Sequence, residues 1–308
     1  MKTTLPRELP LVLALVLVFG LLALVAPEFF DRKPLMSRFA QEAPVLIVAA
    51  GTSLVIIVRQ IDISVGSQFA VSGIVAGMLA SYGAGVATCA AGALGAGLLM
   101  GAINGLCVAT LRLPSIVVTL ATMVIWREAL RLTQQGQFIN LPSGFQWFGL
   151  TLESGQMIQI SAALALFSLL AWFASNVSAG RFIYAVGSDA EAARLSGIPP
   201  RITTFAAFVL LGGLCGIAAF MNALQTPQVD PKSGTGLEMK VIAASVVGGI
   251  AINGGRGRLW GAFLGLLVLT TISPALTYLH VEAYWEKAVQ GSIILLAVIA
   301  ETIRTRRV

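Results

Sequence analysis

Residues 202–223 read ITTFAAFVLLGGLCGIAAFMNA and contain no charged side chain. About 20 consecutive apolar residues are enough for an α-helix to cross the hydrocarbon core of a bilayer. The rest of the chain is similar, since hydrophobic residues make up 57% of it, charged residues 11%, and its mean hydropathy is +0.87. A water-soluble domain carries about 25% charged residues. The composition therefore predicts an all-α, polytopic transmembrane helix bundle.

About ten apolar stretches approach spanning length, and short loops between them use up the remaining residues. We therefore predict one transmembrane domain over residues 1–308, without an extramembrane catalytic domain. Lys240–Ile252 is short for a span, so it is either a half-helix or part of a span that begins in the preceding polar segment. The predicted spans are Leu9–Ala26, Glu42–Val58, Gly66–Tyr82, Gly85–Ala109, Ser115–Leu130, Met157–Ser175, Ile202–Ala223, Lys240–Ile252, Leu259–Leu279 and Lys287–Ile303.

The distribution of positive charge predicts an orientation. With ten spans both termini lie on one side of the membrane, and that side holds the larger share of the 20 Lys and Arg residues. Cytoplasmic loops carry the excess of Lys and Arg, so we expect both termini and the long loop 176–201 in the cytoplasm. The net charge of +6 does not indicate a nucleic-acid partner, because the cations are scattered over loop ends and form no basic stripe.

Cysteine, histidine and glycine usage points to packing rather than to chemistry. The three cysteines fall in apolar stretches and the single histidine cannot build a metal cluster, so no metal site is expected. Many of the 32 glycines recur every four residues, which predicts helices whose backbones approach closely in lipid. The spaced glycines include Gly97, Gly101 and Gly105, Gly212 and Gly216, and Gly257, Gly261 and Gly265.

The loop 176–201 contains a predicted helix in the sequence SDAEAARLSGIP, residues 188–199. Ser188 and Glu191 have the spacing of a capping box, and Gly197 and Pro199 end the helix. Eight residues form a helix about 12 Å long, which is too short to be stable alone in water. The segment is therefore either a surface connector or a helix that docks on a cytoplasmic partner. Its other features are Asp189 beside the positive N-terminus, small residues Ala192 and Ala193, and apolar Leu195 and Ile198.

Asp62 lies where one apolar stretch ends and the next begins, in the sequence RQIDISVGS at residues 59–67. It can cap the following helix, with Ser64 and Ser67 also available to its free N–H groups. Alternatively it lines a route through the membrane or forms a gate pair with Arg59, since an ionisable group at membrane depth faces a cavity or a partner. The sequence leaves both interpretations open.

Two further polar positions stand out. Asn104 lies inside an apolar span and is expected either to hydrogen-bond to a neighbouring helix or to line a pathway. Glu238 and Lys240 flank the start of a span and predict a salt bridge at an outer mouth, contact with an external partner, or a solvated loop.

Five blocks of sequence resemble the permeases of ABC sugar importers of the ribose, xylose, rhamnose and autoinducer-2 type. GRFIYAVG at 180–187 followed by EAARLSGI at 191–198 is similar to the coupling-loop signature of these permeases. The other blocks are IDISVGS at 61–67, NGLCV at 104–108 with LPSIVVTLATM at 113–123, GTGLEM at 234–239, and VGGI at 247–250 with GGRG at 254–257. The resemblance runs in order from about Leu9 to Ile299.

This resemblance implies a non-enzymatic subunit of the bacterial inner membrane that pairs with a second permease, as a homo- or heterodimer. A cytoplasmic ATPase would dock on it, and a periplasmic or surface binding protein would deliver the sugar. The sequence contains no G-x-x-x-x-G-K-[ST] loop, so ATP and Mg²⁺ are expected on the partner ATPase. The expected ATPase-coupling residues are Ser188, Asp189, Glu191, Ala192, Ala193, Arg194, Leu195 and Gly197, and the expected pathway or gate residues are Arg59, Asp62, Ser64, Asn104 and Glu238.

Three other classes of protein fit less well. An ion-coupled secondary transporter would carry more acidic or histidine side chains inside its spans. A membrane enzyme would need a nucleophile with a base, or a metal cluster. A branched-chain amino-acid permease of the related ABC group is the nearest alternative, and the EAARLSG block favours the sugar group.

Overall fold

The computed structural model describes residues 9–278 and, beyond them, residues 282, 285, 288, 289, 291, 292, 295 and 299. This part of the chain is a helix bundle whose only strands are two residues each, which confirms the predicted all-α fold. The helices are α1 (Leu9–Val25), α2 (Arg32–Ile57), α3 (Val65–Ser81), α4 (Val86–Gly105), α5 (Ser115–Gln134), α6 (Leu152–Asn176), α7 (Ser178–Ser188), α8 (Ala190–Leu195), α9 (Pro200–Ala223), α10 (Leu237–Val247) and α11 (Leu259–Tyr278). The strands β1 (Ile139–Asn140) and β2 (Gln228–Val229) pair antiparallel.

Nine of the ten predicted spans coincide with helices in the described residues, and the tenth, Lys287–Ile303, lies largely outside them. Five helices are long and apolar enough to cross a membrane: α2, α4 with its π-helical extension to Thr110, α6, α9 and α11. Helices α1 and α3 are apolar but shorter. Helix α5 has 20 residues but carries Arg127, Glu128 and Arg131 in its second half.

Helices α2 and α9 form the centre of the bundle. Both helices carry fully buried side chains, which include Ile47, Leu54, Phe208 and Leu211. Pro44 lies inside α2 and has no N–H, so the carbonyl of Ala40 loses its helical donor. The side-chain amide of Gln225 donates to that carbonyl at 2.9 Å, which fixes the chain after α9 to α2.

Close backbone packing joins α4 to α9, as the glycine spacing predicts. A Cβ atom added at Gly97 would collide with the carbonyl of Gly212, and one added at Gly212 would collide with the carbonyl of Gly97. Gly101 and Gly216 face the partner backbone in the same way. In lipid such contact replaces the hydrophobic effect as the source of helix association.

Helix α10 is a half-helix. Its 11 residues rise about 16 Å, roughly half of the hydrocarbon thickness. It begins at Leu237 and ends at Val247, so the predicted span Lys240–Ile252 starts too late and includes part of a turn. Its N-terminus meets the N-terminus of α3, because a Cβ atom at Gly66 would collide with the carbonyl of Gly234 and with the Glu238 carboxylate.

Candidate functional site

The loop between α6 and α9 folds into two helices, α7 and α8. Helix α8 has six residues, fewer than the predicted eight, and begins after Asp189. The Asp189 carboxylate accepts hydrogen bonds from the backbone N–H groups of Glu191 at 2.9 Å and Ala192 at 3.0 Å. The predicted capping box of Ser188 and Glu191 is therefore wrong. Ser188 still belongs to α7, and the extended backbone at Asp189 (φ −157°, ψ 109°) makes that residue the cap.

Glu191 pairs with Arg194 instead of capping. The Arg194 guanidinium donates to both carboxylate oxygens of Glu191, at 2.6 and 3.0 Å. This hydrogen bonding and the charge of Arg194 lower the pKa of the Glu191 carboxyl. Gly197 ends the helix with φ +82°, as predicted, and the N–H of Ile198 returns to the carbonyl of Ala193 at 3.0 Å.

Helix α8 has an inner and an outer face. Ala193, one of the expected ATPase-coupling residues, is buried against the bundle, so its side chain is not part of the outer face. Ala192 is exposed, and Leu195 leaves 76% of its surface uncovered. The outer face thus presents an apolar side chain on a rigid, capped helix.

Helix α7 rests directly on the end of α2. A Cβ atom at Gly187 would collide with the carbonyl of Ile57, and one at Gly255 would lie 2.6 Å from the Cα atom of Ser188. The N–H of Gly255 donates to the same Ile57 carbonyl at 2.8 Å. Three segments therefore meet backbone to backbone, and a displacement of α7 must displace the end of α2 or the turn at 254–255.

Asp62 follows this junction and is fully buried. One carboxylate oxygen accepts from the backbone N–H and the hydroxyl of Ser64, at 2.8 and 2.5 Å. The other accepts from the side-chain amides of Gln68 at 3.0 Å and Asn104 at 3.2 Å. The carbonyl of the Asn104 amide accepts in turn from the hydroxyl of Thr122 at 2.9 Å. Asp62 therefore fixes Ser64, the residue that precedes α3, without bonding to an N–H group inside the helix. It also links the start of α3 to α4 directly and to α5 through Asn104.

The backbone beside Asp62 is held by hydroxyls of α5. The N–H of Ile61 donates to Ser115 at 3.2 Å and the N–H of Ile63 donates to Thr119 at 3.1 Å. Sequence reasoning missed these two residues and Gln68. The spacing of Ser115 and Thr119, one helical turn apart, was the available signal, since residues four apart share a helix face.

Arg59 is exposed, has φ +68° and lies against Gly254. The ion pairs within the described part of the chain join Arg131 to Glu128, Arg194 to Glu191 and Lys240 to Glu42. The proposed gate pair between Arg59 and Asp62 is thus not formed in this conformation. The pair does not form because neutral donors already satisfy the buried carboxylate of Asp62.

A second polar cluster lies where the N-termini of α3 and α10 meet. Arg127 of α5 donates to the backbone carbonyls of Ser233 at 3.0 Å and Pro231 at 3.4 Å. It lies in the electrostatic field of Glu238 and Asp230. The sequence drew attention to Glu238 and overlooked Arg127, although an arginine in an apolar span is a signal of function.

A salt bridge of Lys240 with Glu238, one of the three interpretations that the sequence left open, does not form in this structure. Lys240 pairs with Glu42 of α2 at 2.8 and 2.9 Å, while Glu238 accepts from the N–H of Gly236 at 3.2 Å. Residues two apart do not share a helix face, so the two side chains diverge. The ion pair that does form ties the half-helix α10 to α2.

A family described as "Branched-chain amino acid transport system / permease component" matches residues 35–298. Proteins named "Autoinducer 2 import system permease protein LsrC" are similar along nearly the whole chain. The protein of Enterobacter sp. (strain 638) is 38% identical over 297 residues, 96% of this chain and 87% of that protein. The proteins of Klebsiella pneumoniae and Salmonella typhi are 39% and 33% identical, over 96% and 94% of this chain and 86% and 84% of theirs. No solved structure matches.

Proposed function

The chain belongs to the branched-chain amino acid transport system / permease component family, and because its similar relatives are named autoinducer-2 import permeases, we propose that it imports a monosaccharide or a related small carbohydrate. Pentoses, deoxyhexoses and autoinducer-2-like compounds are the substrate class, and alternating access is the mechanism. The chain is an integral membrane permease of the ABC importer type and a transport subunit rather than an enzyme. The names of the similar proteins support the carbohydrate class.

The observation that carries the proposal is the seating of helix α8. Its outer face presents Leu195 to solvent, while its partner helix α7 rests through Gly187 on the end of α2. Force applied to α8 by a cytoplasmic ATPase would therefore reach the bundle without a compliant linker. We place the bound ATP and Mg²⁺ on that ATPase, and both termini of this chain in the cytoplasm of a bacterial cell.

The route for the substrate is assigned to the side of the bundle where Arg127 and Glu238 meet. Both side chains are half-buried and charged, so they can hydrogen-bond to the hydroxyl groups of a passing sugar. The polar atoms of Asp62, Ser64 and Asn104 already bond to one another. These residues would therefore hold the helices beside the route in place rather than bind the substrate directly. A second permease would complete the route, and a periplasmic or surface binding protein would supply the high-affinity capture.

A branched-chain amino-acid importer is the second candidate, because the family that matches residues 35–298 is described by branched-chain amino acid transport. The two are separated by reconstituting the permease with its cognate ATPase and binding protein in proteoliposomes. We expect ATP-driven uptake of a labelled carbohydrate from a panel that includes autoinducer 2, and no uptake of labelled leucine. Permease without the ATPase should show no ATP hydrolysis. Uptake that survives ATP depletion and collapses with the proton gradient would refute the proposal.

A further inference from the structure

A cavity of about 230 Å³ lies between α1, α2, α10 and α11. It is at the end of the bundle where Pro27–Phe30 joins α1 to α2, opposite the end that carries α8. Apolar side chains and polar groups both line it. Its lining includes Phe19, Leu35, Arg38, Phe39, Gln41, Glu42, Lys240, Thr270, Ser273 and Pro274.

The cavity carries one net positive charge. Glu42 is neutralised by Lys240, whereas Arg38 takes part in none of the ion pairs formed within the described residues. The Arg38 guanidinium is oriented by two aromatic rings, with its central carbon 4.5 Å from the ring centroid of Phe29 and 5.0 Å from that of Tyr278. It donates to the carbonyl of Phe29 at 3.3 Å, which leaves most of its five N–H donors for a ligand.

Polar groups of α11 complete the lining on the other side. Pro274 has no N–H, so the carbonyl of Thr270 has no helical donor. The hydroxyl of Ser273 and the side-chain amide of Gln41 add further donors and acceptors. The cavity therefore offers a guanidinium and hydroxyls beside an apolar wall of Phe19, Leu35 and Phe39.

We propose that this cavity binds the phosphodiester headgroup of an anionic membrane phospholipid. The guanidinium of Arg38 would donate to the phosphate oxygens, because its fork matches two of them at once. One negative charge on the lipid matches the positive charge of Arg38, which forms none of the ion pairs found among the described residues. The volume fits a headgroup rather than a whole lipid, and the acyl chains would leave along Phe19 and Phe39, of which Phe39 is exposed. Bound lipid would contact α1 and α2 beside the Glu42–Lys240 ion pair and would stabilise their packing against the half-helix α10.

The test is thermal unfolding of the full-length permease in detergent with added phosphatidylglycerol. Parallel samples receive diacylglycerol, which lacks the phosphate, or inorganic phosphate, which lacks the chains. We expect phosphatidylglycerol alone to raise the unfolding temperature of the wild-type protein. Arg38→Gln should require about tenfold more lipid for the same effect, since one charge-assisted contact is lost.

The matched control is Lys33→Gln, which removes an exposed cation from the same helix outside the cavity and should leave the lipid response unchanged. Arg38→Lys keeps the charge and should respond between wild type and Arg38→Gln, which preserves the test if Arg38→Gln does not accumulate. Equal stabilisation by diacylglycerol or by inorganic phosphate would overturn the lipid assignment. So would an unchanged lipid response in the Arg38 variants, or no response in the wild type.

Discussion

Asp62 is fully buried and satisfied by its own chain, whereas Leu195 on helix α8 leaves 76% of its surface uncovered. The carboxylate accepts hydrogen bonds from Ser64, Gln68 and Asn104, so its interactions are complete before any partner binds. Leu195 has the opposite character, since an apolar side chain on a capped, exposed helix gains only when something covers it. The hydrogen bonds of Asp62 stabilise the folded permease itself, whereas Leu195 gains a contact when another protein covers it. Substitutions in the two regions should therefore fail in different ways.

Asp62→Ala should have the largest effect on stability. It removes an acceptor that serves four hydrogen bonds. The amides of Gln68 and Asn104 keep the Ser64 hydroxyl as an acceptor, whereas the N–H of Ser64 is left unpaired, so we expect a loss of about 2–4 kcal/mol. Folded protein recovered as a single size-exclusion peak in detergent measures the effect. Asp62→Asn is the matched variant, because it keeps an acceptor for Ser64 but turns amide hydrogens toward Gln68 and Asn104. It should cost less, about 1–3 kcal/mol. If Asp62→Ala were recovered in the same yield as the wild type, the hydrogen bonds of Asp62 would not stabilise the fold as proposed.

Ala193→Trp should have the next largest effect. Ala193 is buried between α8 and the bundle, so a bulky ring overpacks the permease itself and costs about 1–3 kcal/mol. Its control is Ala192→Trp, where the added ring points to solvent and the unfolding temperature should not change. Thermal unfolding of the two variants side by side gives the answer. If both behave alike, the inner and outer faces of α8 are assigned wrongly.

Asp189→Ala should cost about 1 kcal/mol, the usual value for loss of an N-cap. The effect is confined to α8, since among the described residues the carboxylate bonds to the N–H groups of Glu191 and Ala192. Hydrogen exchange at those amides should quicken, while amides of α2 and α9 keep their protection. Asp189→Asn retains an acceptor and should exchange more slowly than Asp189→Ala. Unchanged exchange in Asp189→Ala would show that the cap is not needed.

Leu195→Asp should have the smallest effect on the fold and a clear effect on assembly. The side chain is exposed, so the free energy of unfolding should change by less than about 0.5 kcal/mol. Association with the cognate ATPase, measured by co-purification and by ATP-driven uptake, should be lost. Ser196→Ala, at the exposed residue directly after α8, is the control and should assemble normally. Normal assembly of Leu195→Asp would make α8 a connector.

Apolar length made the bundle predictable from sequence, because nine spans needed only local hydrophobicity. Helix α8 was predictable for a similar reason, since Gly197 and the acidic residues before it are local signals. The residue that caps α8 was not predictable from the sequence. Ser188 and Asp189 are both good N-caps, and only the backbone at the end of α7 decides between them. Long-range partners were beyond local reasoning altogether. Glu42 and Lys240 are 198 residues apart, and nothing near either residue identifies the other.

The interlocked backbones of α4 and α9 have a consequence for motion. At Gly97 and Gly212 the partner's carbonyl occupies the space that a Cβ atom would need, so a shift of one helix along the other would bring residues with a Cβ atom toward those carbonyls. We expect α4 and α9 to travel as one rigid body through a transport cycle. We expect movement in helices that pack less tightly. Helix α5 is one of these, since its buried residues are Val118, Thr119 and Leu130. Spin labels on α4 and α9 should keep a constant separation while labels on α5 and α9 change theirs.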